Sequence, residues 1–231
     1  MSQRMLVWDV PTRVFHWLLV VSFAGAFLTA ESERYRDIHV VLGYTLLGLI
    51  AFRLVWGFVG TRYARFRSFL FKPGEIAAYA VSLLKARPGH HVGHNPAGSV
   101  AVFALLALGI ASGMSGVLIF QDAGGDVLEE LHELVSYGML AVVVLHVAGV
   151  LVSSVMHGEN LVRSMITGFK RVPVQEFPAS AQPNKGIRRT HAWLGVIMLA
   201  ATVTFWVVYP VTGLMTPDSG VAQGRQDSDR D

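Results

Sequence analysis

Charged side chains are almost absent from five long runs of this chain, at about residues 14–30, 38–59, 97–120, 128–155 and 192–210, and no other feature limits its fold so severely. About 20 helical residues cross the roughly 30 Å hydrocarbon core of a bilayer, and each run is near or above that length. Inside lipid every backbone N–H and C=O must find its partner within the protein, so each run has to be helical. Only 15% of the residues are charged and 52% are hydrophobic, against about a quarter charged in a soluble domain, which excludes a water-soluble globular fold. The expected fold class is an all-α integral membrane protein, with four transmembrane helices forming a bundle and a fifth added to it.

Lys and Arg orient these spans. Fourteen of them fall in the N-terminal segment, the loop between spans two and three, and the segment between spans four and five, whereas Arg34, Arg36, Arg225 and Arg230 alone lie on the opposite side. Positive loops stay inside, which places the N-terminus in the cytoplasm and the C-terminus outside. The net charge of +3 and pI near 9.4 follow from this topology, and nucleic-acid binding is set aside. Glu31 and Glu33 follow the first run where a signal peptide would show a small-residue cleavage site, so the first span is expected to stay. In the second loop Ile76, Tyr79, Ala80, Leu83 and Leu84 keep a helical apolar spacing after Pro73-Gly74, predicting a short helix on the membrane surface. The chain then divides into a transmembrane domain over 1–172, a cytoplasmic linker over 173–189, a fifth transmembrane helix over 190–211 and a disordered external tail over 212–231.

The chain has no cysteine and nine histidines, which removes disulfides, cysteine-held iron–sulfur clusters, thiolate zinc sites and covalent haem attachment. His132 and His146, in span four, are 14 residues apart, so both leave one helix face about 21 Å apart along its axis. That is too far for one metal ion and suits two centres stacked across the membrane. The topology pairs them by depth: His39 with His132 at the outer level, and His16 with His146 at the inner one. Two imidazoles from separate helices at one depth are what a six-coordinate b-type haem requires, with apolar side chains around the macrocycle and both axial positions filled. Intramembrane ionisable residues are costly and usually functional; hydrogen bonding between helices is the plainer alternative. Zinc fits poorly, because each pair supplies two nitrogens and no further ligand.

Arg53 lies 14 residues from His39 on the same helix face, at the depth of the inner pair, where it would meet a haem propionate; the other reading is an arginine snorkelling from the end of span two. Arg13, one turn before His16, is a second candidate of this kind. Gly43, one turn after His39, leaves room for a ring edge. His157 reads as an interfacial cap, His90, His91 and His94 as residues of a polar loop, and His191 as the start of span five. Met139, between His132 and His146, and the series Gly109, Gly113 and Gly116 read as packing, with no chemistry.

Six ordered motifs carry a resemblance: Trp8-Asp9 through His16-Trp17, Ile38-His39 to Gly43-Tyr44, Phe52-Arg53-Leu54-Val55-Trp56-Gly57, Gly93-His94-Asn95-Pro96, Leu131-His132-Glu133 with Leu145-His146, and Glu159-Asn160-Leu161-Val162-Arg163. Over about residues 4–172 the chain resembles the bacterial cytochrome b561 group, which includes the b-type cytochrome subunits of nickel–iron hydrogenases and is similar to the membrane subunit of formate dehydrogenases. The resemblance implies axial ligation by His16, His39, His132 and His146 in the pairing that depth suggests, two haem b per chain, and an inner-membrane protein with a periplasmic C-terminus. It also implies electron transfer between membrane quinone and a partner such as a hydrogenase, a dehydrogenase or a soluble cytochrome. In similar subunits quinone lies near the inner haem beside the start of span three, here Asn95 and Gly98; an Asn-Pro turn capping that helix is the plainer reading. The acidic outer residues Asp122, Asp126, Glu129 and Glu130 suit a basic carrier. Two rival functions stay open: a self-sufficient quinol oxidoreductase with a small or soluble acceptor, and a haem-free anchor or proton-conducting bundle.

Overall fold

The computed structural model describes residues 2–85, 89–173 and 186–209. In chain order these form β1 (Ser2–Leu6), α1 (Val10–Thr29), α2 (Arg36–Val59), α3 (Pro73–Leu84), α4 (Pro96–Phe120), α5 (Gly125–Met156), α6 (Leu161–Thr167), β2 (Phe169–Pro173) and α7 (Ala192–Val208). Four helices, α1, α2, α4 and α5, are long and apolar enough to cross a membrane. The expected surface helix is α3. The tail over 212–231, expected to be external and disordered, and most of the expected linker lie outside the described residues.

Two of the four long helices, α1 and α4, begin where the sequence provides a side-chain cap. The buried carboxylate of Asp9 accepts from Thr12 N at 2.7 Å, capping α1, and also from Trp56 Nε1 at 3.1 Å and Thr61 Oγ1 at 2.5 Å. One acidic group thereby satisfies the start of α1 and ties it to the end of α2. Nearby, a Cβ on Gly57 would collide with the ring of Phe66, so only glycine lets the loop after α2 fold back on that helix. Asn95 caps α4, its Oδ1 accepting from Gly98 N at 2.7 Å. Helix α5 has 32 residues, about 48 Å of rise, more than the bilayer needs.

The helices pack as two hairpins, α1 with α2 and α4 with α5, joined by α2 against α4. Leu46, Ile50, Leu106 and Met139 form the buried centre between them, the place expected for Met139. Helix α7 lies along α1. Its beginning, at Gly195, meets Val10 and Val14, and near its end Trp206 Nε1 donates to Thr45 Oγ1 at 2.9 Å. At 17 residues, or about 25 Å, it is shorter than the four spans.

Two elements depart from the expected all-helical chain. Strands β1 and β2 pair antiparallel, Leu6 opposite Phe169, and Gly168 O accepts from Val7 N and Trp8 N. Neither segment shows a period of its own, and a two-stranded ribbon is marginal in isolation; this one rests on a cluster of Met5, Val7, Trp8 and Tyr63. Between α5 and β2, Asn160 Oδ1 caps the short α6, and Gly168 ends it at φ 86°.

Candidate functional site

The outer histidines meet. His39 on α2 and His132 on α5 have ring centres 6.2 Å apart and planes at 77°. An imidazole nitrogen binds a transition metal at about 2 Å, so two rings on opposite sides of one ion stand about 6 Å apart once each ring's half-width is included. The other ring nitrogens are committed. His39 Nδ1 lies 2.8 Å from Ala26 O on α1, and His132 Nδ1 lies 2.9 Å from Ser112 O and 3.0 Å from Ser115 Oγ on α4. A carbonyl only accepts, so each Nδ1 carries a proton, and the neutral tautomer of such a ring has its lone pair on Nε2. Metal-binding histidines are oriented this way, by a hydrogen bond from the ring nitrogen that does not ligate. All four long helices thus contribute, and the donor set fits an ion with two axial imidazoles. Around Gly43 a Cβ would meet nothing within 4 Å, leaving the space expected there.

Gly116 has a more specific place than helix packing. A Cβ there would lie 3.1 Å from His132 Cε1, so its lack of a side chain lets the imidazole approach α4 closely enough for Nδ1 to reach Ser112 O. Ser112, Ser115 and Gly116 form a polar, narrow ledge for this ring. The small residues were legible in the sequence as close packing; that they face a histidine required the crossing of α4 and α5.

At the inner level, His146 is near enough for its charge to act on His16, and His16 Nδ1 is buried with no partner. Arg53 is 3% exposed, so it does not snorkel. Its guanidinium lies 4.8 Å from the Phe66 ring centre and 5.8 Å from that of Phe69, and its Nη1 is buried without a hydrogen-bond partner. A buried unpaired cation is costly, and an anionic group beside it would remove that cost. The residues therefore fit a propionate-bearing cofactor here too. Arg13 is used differently: its Nη1 donates to Ile166 O at 2.6 Å, fastening α6 to α1, while its Nε stays buried and unpartnered.

The loop histidines do not form one polar group. The His94 ring packs between Trp8, at 4.9 Å, and Phe69, at 4.4 Å, with Nδ1 buried and unpartnered. Burial, with Arg53 adding to it, pushes its pKa down to about 3 and holds it neutral. Its burial was missed because the loop reads as polar; the available signal was its place beside Asn95-Pro96 in one of the quoted motifs. Asn95 Oδ1 is spent on the cap of α4, and a Cβ on Gly98 would press on it at 3.1 Å, which leaves the Asn95 amide group for any ligand. His157 closes α5, its Nδ1 donating to Ser153 O at 3.0 Å, and His191 packs on Trp56 before α7.

A polar cluster secures this face. Glu159 pairs with Lys170 at 3.2 Å and with His90 at 3.7 Å, and Lys170 Nζ donates to His91 O at 3.1 Å. Burial would raise the Glu159 carboxyl, but bonds from His90 and Lys170 outweigh it and hold the group below its ordinary value. Burial weighs more on Lys170, which stays below the usual lysine value despite its partner.

Residues 7–168 match the sequence model of the prokaryotic cytochrome b561 family. The chain is 24% identical to a protein of Rhodobacter capsulatus named "Probable Ni/Fe-hydrogenase B-type cytochrome subunit", over 71% of this chain and 80% of that protein. It is 23% identical to the corresponding hydrogenase 1 subunit of Escherichia coli K12, over 71% and 89%, and 26% identical to a subunit of that name in Azotobacter vinelandii, over 52% and 60%. No solved structure matches the chain.

Proposed function

Because the chain belongs to the prokaryotic cytochrome b561 family, and so to multi-pass membrane carriers of electrons that hold haem b, we propose that it is a di-haem cytochrome passing electrons across the membrane between the quinone pool and a partner redox protein. The names of its relatives make a hydrogenase the first partner to test. One observation carries the reading: His39 and His132 oppose each other at 6.2 Å with both Nδ1 protons given to carbonyls.

Bound haem would supply one-electron redox chemistry. The protein's part is to ligate, orient and set polarity. His39 and His132 hold the outer group, oriented by Ala26 and Ser112, and His16 and His146 hold the inner one. Arg53 offsets propionate charge at the inner level, with the buried Nε of Arg13 as a second cation. Asn95 offers its amide to a quinone carbonyl beside the start of α4, and Gly98 keeps that side chain in place. Helix α7 is the fifth span, since it starts level with the beginning of α1 and reaches Thr45. The N-terminus faces the cytoplasm and the C-terminus the periplasm, which leaves the exposed Asp122, Asp126, Glu129 and Glu130 to meet a partner outside.

The test is a haem count by pyridine haemochrome on purified protein, followed by an optical redox titration. Two equivalents of haem b with two resolved potentials are expected. One equivalent or none refutes the di-haem reading, and quinol turnover with a simple acceptor and no partner would point to a self-sufficient oxidoreductase.

A further inference from the structure

A cavity of about 650 Å³ opens between the end of α2 and the start of α4, and its walls include Arg62, Arg65, Arg67, Tyr63, Ser68 and His91. Its volume is in the ordinary range for ligand sites, and its charge is one-sided. No aspartate or glutamate lines it. Among the described residues none of the three arginines pairs with a carboxylate, and Glu159 is committed to Lys170 and His90. Arg65 Nε is buried without a partner. Arg53, assigned above to a propionate, is not part of this wall, so the positive charge here is additional.

Arg62 and Arg67 are exposed and Arg65 is half-buried, so the three guanidinium groups stand at one opening where water reaches them and where an anion would offset what repulsion remains. A neutral ring ligand would leave that charge uncompensated. The guanidinium fork matches the oxygens of phosphate in two-point fashion; the Tyr63 and Ser68 hydroxyls already donate to Met5 Sδ and Arg65 O, so the arginines are the donors. The position is equally telling. Arg62 follows α2 by three residues and the far wall ends just before Pro96, which sets the cavity at the level of lipid headgroups, where basic pockets beside membrane helices take phosphodiesters.

We propose that this cavity binds a phosphate group, supplied by the headgroup of an anionic phospholipid or as free phosphate or diphosphate. The test uses the full-length haem-loaded protein in a neutral detergent. Native mass spectrometry follows retention of phosphatidylglycerol or phosphatidylcholine, and phosphorus NMR follows line broadening of inorganic phosphate and diphosphate. One retained phosphatidylglycerol and no phosphatidylcholine identifies the lipid source; saturable broadening of the free anions without lipid retention identifies the soluble one. In either case the double variant Arg62→Gln, Arg65→Gln weakens binding by about tenfold or more, Arg65→Lys by less, and Arg34→Gln, on the opposite face, not at all. Phosphatidylcholine retained as well as phosphatidylglycerol, no binding from either source, or undiminished binding by a double variant with an unchanged haem spectrum would overturn the proposal. The lipid preference is read on the unaltered protein and needs no variant to fold.

Discussion

On the proposed di-haem reading, replacing Gly116 with valine should release the outer haem and spare the inner one. Gly116 lies against the His132 imidazole, where a first methyl carbon would stand 3.1 Å from Cε1. Ordinary contact begins near 3.4 Å, so alanine alone displaces the ring by a few tenths of an ångström, and valine adds two further methyl groups on the same side. Ligation tolerates misplacement of only about 0.5 Å. The ring has little freedom to retreat, since its Nδ1 is held by Ser112 O. Overpacking of this kind costs about 1–3 kcal/mol, which corresponds to haem bound about 5- to 150-fold more weakly. In protein purified with detergent washing, the haemochrome count should fall from two equivalents toward one, and the surviving component should titrate at the inner potential. Gly149→Ala, on α5 with nothing within 4 Å of the added carbon, should keep both. Full occupancy and unchanged potentials in Gly116→Val would show that the ring is not seated against α4 as described.

Other expectations follow from the same geometry. Replacing His132 with alanine should abolish the outer haem and leave the inner, because the ligand sets are separate; equal loss of both from well-folded protein, seen by haem count, would contradict the pairing. Arg53→Gln removes a buried cation, which favours the reduced state, so the inner potential should drop more than the outer in a redox titration, and the opposite order would reject its placement. The carboxyl of Glu159 is held below its ordinary value, so its contribution is complete above the unfolded value of about 4.3 and is lost as pH falls from there through the lowered folded value. Glu159→Gln should therefore lower Tm at neutral pH and flatten its decline in acid; an unchanged pH dependence of Tm would show that the cluster with Lys170 and His90 adds no stability.

Much of this protein was legible in the chain. In lipid a backbone has no water to bond, so lengths of apolar sequence determine helices directly: four spans ended within about four residues of their expected limits, and the surface helix α3 was readable from five apolar residues. Helical geometry likewise put His132 and His146 on one face of α5, and topology alone brought His39 to the level of His132, where the structure has the two rings in contact. Sequence period says nothing, however, about what another helix presents at a crossing. That Ser112, Ser115 and Gly116 form the seat of a histidine, and that Ala26 orients His39, depended on how α4 meets α5 and how α1 meets α2. The β1–β2 ribbon, the burial of His94 under Trp8 and Phe69, and the closing of a cavity between the loop that carries Arg62, Arg65 and Arg67 and residues 90–94 arise from contacts between segments tens of residues apart. Each segment alone is polar and aperiodic, so only the packed chain defines its role.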